Sequence, residues 1–213
     1  MVLRVIADPA DEKKSVLVGQ RTDGEGVFSG EMVRFHYRNG AAEPDGKIML
    51  PPGTFLLSYE SGYLGKNKDF LRIILNQDQR LMVFDRENRL LAQVSDKLFG
   101  TDNRIRIQSA NRTSFITYPG RLIIADTNGD GENELLVVKQ TAGESEIQAM
   151  EWDGTQLVKK WNSVPSAGII SDFRIRDLKN EGIRSLVLIL VKPGHLFAFS
   201  GPRSTIFAYD LIP

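Results

Sequence analysis

An all-β fold is predicted for this chain of 213 residues, and three observations predict it. Long helical periodicity is absent, and the apolar residues fall instead in short runs rich in Val, Ile, Leu, Phe and Tyr. Gly, Asn, Asp and Pro separate these runs, as expected for strands that are joined by turns. The order of the runs also recurs along the chain, which divides the sequence into about four similar units.

The predicted strands are of two kinds. Continuous apolar runs at 71–75, 135–138 and 186–190 are typical of strands that are buried on both faces. Alternating apolar and polar residues at 31–37 and 146–152 predict strands with one exposed face. Both kinds occur in the recurring unit.

The recurring unit contains four short strands. Its clearest copy surrounds Gly131, and a second copy follows around Gly182, 51 positions further on. Repeats of this length and strand content are typical of a β-propeller, whose blades stack because one sheet cannot bury both of its faces. A β-sandwich with the same number of strands is the alternative. The predicted blades of this single domain cover residues 1–49, 50–109, 110–164 and 165–213.

Composition excludes several classes of protein. The 27 Lys and Arg residues balance the 27 Asp and Glu residues, which argues against a nucleic-acid binder and a polybasic membrane-surface module. The absence of cysteine excludes disulfides, thiol catalysis, zinc ribbons and iron–sulfur clusters. The longest apolar run, 186–191, is too short for a transmembrane segment. The two histidines, His36 and His195, are far apart, and no pair of acidic residues can be placed across a cleft, so we expect no enzyme.

Residues 126–134 contain the pattern of a calcium loop. Oxygen-bearing side chains recur at positions 1, 3, 5 and 9, a glycine stands at position 6, and position 7 offers a backbone carbonyl. Position 12 is Val137 rather than the glutamate of an EF-hand, so a β-hairpin calcium loop is predicted. The alternative is a plain Asn-Gly or Asp-Gly hairpin turn. The candidate ligands are Asp126, Asn128, Asp130, Glu132 and Glu134.

The corresponding loops of the other units have lost parts of this pattern. In the fourth unit Asp177 and Gly182 keep their places, but position 3 is Lys179. We expect the Lys179 ammonium to pair with Asp177 and Glu181 in place of a metal. The first unit has acidic residues at 8, 11 and 12 without the glycine, and the second has lost the carboxylate spacing around 61–69, so neither is expected to hold calcium.

The segment 124–135 resembles the FG-GAP or VCBS repeat, and 172–191 is a degenerate copy. The resemblance implies a propeller that carries calcium in the hairpin loop between the first two strands of a blade. It further implies Ca²⁺ ligands at Asp126, Asn128, Asp130, Glu134 and the Glu132 carbonyl. Because such propellers usually have seven or eight blades, we expect the remaining blades in a longer chain, with a four-blade ring or a face-sharing dimer as alternatives.

The function expected from these observations is a non-catalytic, calcium-stabilised module for protein–protein or cell-surface interaction. Calcium binding at weak sites suits extracellular concentrations, so an extracytoplasmic location is expected, although no signal peptide is visible. The alternative is a carbohydrate-binding propeller that uses exposed aromatic residues such as Trp152, with Trp161 as a second platform residue. Cross-strand packing is the structural explanation of that pair. Asn111 begins a tripeptide that fits a glycosylation site.

Overall fold

The chain is all-β, as predicted. A computed structural model describes residues 1–21, 31–96, 99–101, 103–109, 112–192 and 201–211, and within 103–118 it describes the backbone alone. Its strands form antiparallel sheets that are arranged as a four-blade β-propeller. In the described ranges the helical structure is a single 3₁₀ turn, Leu56–Ser58.

The first two blades are four-stranded sheets whose strands follow one another in chain order. Each strand pairs with the next in an antiparallel ladder, so the blade is a meander. The strands of blade 1 are β1 (Val2–Asp8), β2 (Asp11–Gln20), β3 (Met32–Arg38) and β4 (Ala41–Lys47). The strands of blade 2 are β5 (Tyr59–Leu64), β6 (Asp69–Leu75), β7 (Leu81–Phe84) and β8 (Leu90–Gln93).

A separate two-stranded hairpin follows blade 2 and crosses the predicted boundary between residues 109 and 110. Its strands are β9 (Asn103–Ser109) and β10 (Arg112–Tyr118). Its two ends meet where the Thr101 N–H donates to the carbonyl of Pro119 at 2.7 Å. The chain can therefore leave the propeller after Thr101 and return at Pro119 without disturbing the neighbouring blades.

Blades 3 and 4 complete the arrangement. Blade 3 has the same meander order as the first two, with a short fifth strand on β13, and the described part of blade 4 has three strands. The strands of blade 3 are β11 (Leu122–Ala125), β12 (Glu134–Thr141), β13 (Glu144–Trp152), β14 (Leu157–Asn162) and β15 (Ser166–Ala167). The strands of blade 4 are β16 (Ile169–Arg176), β17 (Ser185–Lys192) and β18 (Arg203–Asp210).

Apolar side chains fill the interfaces between successive blades. One cluster joins blades 1 and 2, a second joins blades 2 and 3, and a third joins blades 3 and 4. The first strands of neighbouring blades also lie side by side, with β1 against β5 and β5 against β11. Burial of apolar surface between stacked sheets is the dominant favourable term for such a fold.

The burial of the continuous apolar runs depends on blade position. Every residue of 71–75 and of 135–138 is buried, as predicted for strands covered on both faces. The same prediction for 186–190 is wrong, because Val187 and Ile189 are only half-buried. They belong to the last blade, and no described element covers the face on which they lie.

Both outer faces of the arrangement are apolar. On blade 1, Leu3 and Val5 point away from blade 2 and are 50% and 61% exposed. On blade 4, Ile206 is 70% exposed and pairs across the sheet with Ile189. Met1, Leu3, Val5, Phe35 and Tyr37 are hereafter called the blade 1 outer face, and Ile169, Val187, Ile189 and Ile206 the blade 4 outer face.

Candidate metal loop in the third blade

The predicted calcium loop joins β11 to β12. It leaves β11 after Ala125, which pairs with Glu134 at the start of β12. Gly129 and Gly131 adopt φ values of +77° and +83°, which a glycine reaches without steric cost. The loop is therefore a tight connection whose first and last residues are held side by side by the strand ladder.

Hydrogen bonds from the loop backbone go to the predicted ligand side chains. The Asp126 carboxylate accepts the Gly129 N–H at 2.7 Å and the Gly131 N–H at 3.0 Å. The Asn128 carbonyl oxygen accepts the Asp130 N–H at 3.1 Å, and the Asp130 carboxylate accepts the Glu132 N–H at 2.8 Å. Short polar side chains that bond to nearby backbone stabilise a turn. Asp126, Asn128 and Asp130 thus stabilise the turn at the tip of the loop through its own backbone.

Glu134 is fully buried at the base of the loop. One carboxylate oxygen accepts hydrogen bonds from the Thr127 N–H at 2.9 Å and the Thr127 hydroxyl at 2.6 Å. The Trp161 indole N–H in turn lies 3.3 Å from the Thr127 hydroxyl oxygen. Each polar group of this buried network has a partner, which burial of a carboxylate requires.

Lys160 supplies the positive charge at this site. Its Nζ lies 2.9 Å from Glu134 Oε1, 3.0 Å from Asp130 Oδ2 and 3.8 Å from Glu151 Oε2. Burial disfavours the charged form of Lys160, but the hydrogen bonds and charges of Glu134 and Asp130 outweigh burial and raise its pKa. Hydrogen bonds from Asn128, Glu132 and Lys160 lower the pKa of Asp130 to about 2. The ammonium of Lys160 and the carboxylate of Asp130 are therefore charged at neutral pH.

A β-bulge directs Lys160 toward the loop. In the ladder between β13 and β14, Lys159 pairs with Met150 and Trp161 pairs with Ala149, so Lys160 is an extra residue without a cross-strand partner. Bulges of this kind redirect side chains relative to the regular alternation of a strand. Lys160 and Trp161 can both reach the loop because of this single inserted residue.

The described residues contain no group of three or more His, Asp or Glu side chains gathered as a metal site. Asp130 and Glu134 come together around Lys160. Asp126 accepts hydrogen bonds from the loop backbone, and Asn128 bonds both that backbone and Asp130. The donor set of three carboxylates and an amide oxygen suits a hard cation such as Ca²⁺. Asp130 and Glu134 would be free to bind the ion once Lys160 has left them, so the residues present fit calcium in their chemistry.

Sequence reasoning missed Lys160 because it lies 26 positions beyond Glu134 in another strand. Nothing in the loop pattern points to it. The available signal was a break in alternation, because the adjacent Lys159 and Lys160 separate the apolar pair 157–158 from Trp161. The spacing of that strand could therefore have revealed a bulge but not its lysine's partners.

The fourth-blade loop keeps the turn without this cluster. Asp177 accepts the Glu181 N–H at 3.1 Å and the Gly182 N–H at 2.7 Å. The predicted pairing of Lys179 with Asp177 and Glu181 is wrong, because its Nζ lies instead 3.8 Å from Asp210. The Asp177 carboxylate is satisfied by backbone N–H groups, so it does not require the lysine.

The acidic residues of the first unit are paired with cations from three different places. Asp8 pairs with Arg34 of β3 at 2.9 Å, and Asp11 pairs with Lys14 of the same strand at 2.9 Å. Glu12 pairs with Arg86 of blade 2 at 3.0 Å. These carboxylates therefore diverge from one another rather than converge on a point.

Trp152 and Trp161 do not form an exposed platform for a sugar. Trp152 is only 4% exposed, packs between blades 2 and 3, and donates its indole N–H to Asp69 at 3.0 Å. Trp161 packs in the other interface, between blades 3 and 4. The interpretation of Trp152 as an exposed sugar-binding residue is therefore wrong, and packing within the blade interfaces explains both side chains.

His36 is the remaining candidate within the described part of the chain, and it is bonded locally. His36 lies on β3, with Nδ1 3.2 Å from Asp45 Oδ2. His195 and Asn111 lie outside the described residues. The described ranges contain no helix long and apolar enough to cross a bilayer.

Comparison with known proteins adds no relative. No protein-family model matches the sequence, and neither a curated protein nor a solved structure matches it. The function is therefore inferred from the geometry of the chain itself.

Proposed function

We propose that this chain is a non-catalytic protein-interaction module of the propeller class that calcium stabilises at the loop 126–134. The single observation that carries the interaction role is the pair of apolar outer faces at the two ends of the blade series. Contiguous exposed apolar surface on a folded protein marks an interaction site. The two faces belong to different blades, so the module offers two separate surfaces.

The blade 1 outer face supports this proposal most strongly. Leu3 and Val5 on β1 and Tyr37 on β3 are 50%, 61% and 76% exposed on the same sheet. Met1, Leu3 and Phe35 approach one another over Gly19, where a side chain would collide with Phe35. An aromatic and aliphatic surface of this kind resembles the apolar centre of a protein interface.

The charged residues on the first strands of the blades support a non-catalytic role. Arg4 on β1 pairs with Glu60 on β5 at 2.7 Å. Arg121, which precedes β11, pairs with Asp172 on β16 at 2.8 Å. These carboxylates are neutralised by guanidinium groups of neighbouring blades, so they act as structural ties between the inner strands.

The proposed calcium role rests on the chemistry of the loop. Asp126, Asp130 and Glu134 are three carboxylates within nine residues, and Asn128 adds an amide oxygen. Calcium binds through six to eight oxygen ligands and, at weak sites, needs the millimolar concentrations found outside cells. The proposal therefore includes an extracytoplasmic location. The carbohydrate-binding alternative has no support from Trp152, which is buried.

The interaction role is tested by placing a charge on each outer face. Val5→Glu and Ile206→Glu are compared with wild type and with Thr155→Glu, an exposed residue of the turn between β13 and β14. Immobilised chains are incubated with an extract of the source organism, and bound proteins are identified by mass spectrometry. A partner retained by wild type and Thr155→Glu but lost from a face variant is expected. Equal retention by all four chains would contradict the proposal.

The calcium role is tested by thermal denaturation in millimolar calcium and in excess chelator. A ligand that binds only the folded state at about 100 times its Kd stabilises it by about 2.7 kcal/mol. We expect calcium to raise the Tm of the wild type and to leave the Tm of Asp130→Ala unchanged. If the Tm of the wild type is the same in calcium and in chelator, the loop does not bind calcium and is a plain hairpin turn.

A further inference from the structure

We infer that Lys160 is a tethered cation that holds the loop 126–134 together without metal and competes with calcium for Asp130 and Glu134. This inference rests on the proposed calcium binding. It concerns what keeps the loop ordered when calcium is absent and what sets its affinity when calcium is present.

The burial of Glu134 makes a counter-charge necessary. Its side chain has no exposed surface, and an ionised carboxylate in such a place is stable only when it is paired. Among the described residues, Lys160 is the one cation that forms an ion pair with Glu134 or with Asp130. The ammonium therefore supplies the counter-charge for Glu134 that a bound metal would otherwise supply.

The position of the ammonium excludes an ion at the same oxygens. A lysine Nζ has three donors, and here three carboxylates surround it at 2.9, 3.0 and 3.8 Å. Calcium would need the Glu134 and Asp130 oxygens at about 2.3–2.6 Å. Two cations cannot share those oxygens at such distances, so binding of calcium requires the ammonium to withdraw.

The lysine is able to withdraw. Its side chain is 25% exposed and ends a flexible four-carbon stem at the edge of the loop. Because Lys160 sits on a bulge, it has no directly opposed residue on β13 that would have to move with it. The exchange of one cation for the other therefore involves the lysine side chain rather than the sheet.

The experiment compares four chains: wild type, Lys160→Gln, Lys160→Arg and Lys159→Gln. Lys159 is the matched control, because it is the neighbouring lysine but pairs with Met150 in the regular ladder. Calcium affinity is measured by isothermal titration, and Tm is measured in chelator and in calcium. We expect Lys160→Gln to bind calcium about tenfold more tightly and to melt lower than wild type in chelator. Lys160→Arg keeps the charge and Lys159→Gln keeps the ion pairs, so both should bind calcium as the wild type does.

Two results would overturn the inference, and they differ. Equal calcium affinity of wild type and Lys160→Gln would show that Lys160 does not compete, while the calcium proposal would stand. Folded chains that bind no calcium in any of the four would remove the calcium proposal and the competition with it.

A second variant decides the case if Lys160→Gln does not fold. The double variant Lys160→Gln with Glu134→Gln removes the buried charge together with its cation. Recovery of a cooperative melt in the double variant would support the role of Lys160 as the counter-charge. A double variant that also fails to fold would contradict it.

Discussion

The hairpin loops of blades 3 and 4 share a backbone and differ in charge. Gly131 and Gly182 stand at the same loop position with φ values of +83° and +81°. The first residue of each loop, Asp126 or Asp177, accepts the N–H of that glycine. The shape of the turn therefore follows from an aspartate and a glycine five positions apart and needs no metal-binding set.

The ninth loop position accounts for the difference. In blade 3 it is Glu134, one step along the ladder from the pair Leu135–Met150 and hence opposite Glu151. In blade 4 it is Ser185, which pairs with Asp210 and donates its hydroxyl to that carboxylate at 2.7 Å. Two facing carboxylates require a cation, whereas a hydroxyl and a carboxylate satisfy each other. Blade 3 therefore needs Lys160, and blade 4 needs no equivalent.

The largest difference in unfolding free energy is expected between the variants Glu134→Ala and Ser185→Ala. Removal of Glu134 leaves the buried N–H and hydroxyl of Thr127 without their acceptor, at about 1–3 kcal/mol each, while Asp130 keeps Lys160 paired. Loss of the Ser185 hydrogen bond costs about 1 kcal/mol. Urea unfolding of the two variants measures the difference, and equal losses would break the comparison between the loops.

The next largest loss of stability is expected for Lys160→Met. The buried Glu134 loses its cation, but the one-quarter exposure of the lysine side chain admits water, so we expect a loss of about 2 kcal/mol, below the range for a fully buried pair. Lys179→Met is the matched variant in blade 4, where the ion pair with Asp210 is exposed at 3.8 Å and is worth about 0–1 kcal/mol. Chemical denaturation of both variants in chelator checks the ranking, which a larger loss for Lys179→Met would contradict.

The two loop glycines should behave alike. Gly131→Ala and Gly182→Ala each place a Cβ in open space but force a non-glycine residue to a positive φ. We expect each to cost about 1–2 kcal/mol and the two losses to agree. Thermal melts of the pair test whether the loops truly share a backbone, since a loss confined to one variant would show that they do not.

The smallest effect is expected for the dependence of the unfolding free energy on pH. The folded-state pKa of Asp130 lies at about 2, below its ordinary value of 3.8, so the unfolded chain binds more protons between these values. Its contribution is present above about pH 4 and is lost as the pH falls toward 2. Asp177 also has a lowered pKa, chiefly through its hydrogen bond from Gly182. Asp130→Asn should reduce the dependence of unfolding free energy on pH in that window, and an unchanged dependence would contradict the assignment.

Much of the fold was predictable because blade strands carry local signals. The apolar runs, the turn residues and the recurrence of the loop glycines predicted four blades, and the propeller arrangement confirms them. The exposure of Val187 and Ile189 was not predictable, because it depends on which blade has a neighbour rather than on the strand itself.

The candidate site was predictable in its loop and not in its surroundings. The spacing of Asp126, Asp130 and Gly131 correctly indicated a tight polar turn. The partners of Glu134 come from Thr127 and Lys160, and the lysine arrives from a distant strand through a bulge. Such a pairing is set by tertiary register, which a pattern of adjacent residues does not contain.

The bulge at Lys160 affects how the repeat units of the blades are aligned with one another. Blade 3 carries one more residue in its fourth strand than a regular ladder would hold. The fourth strands of blades 1 and 2 hold one extra residue as well, which is Leu91 in blade 2, so a bulge at this strand recurs among the blades. A search for this site in other repeats therefore depends on a lysine at the bulged place rather than on the bulge itself, since blade 2 has Leu91 there.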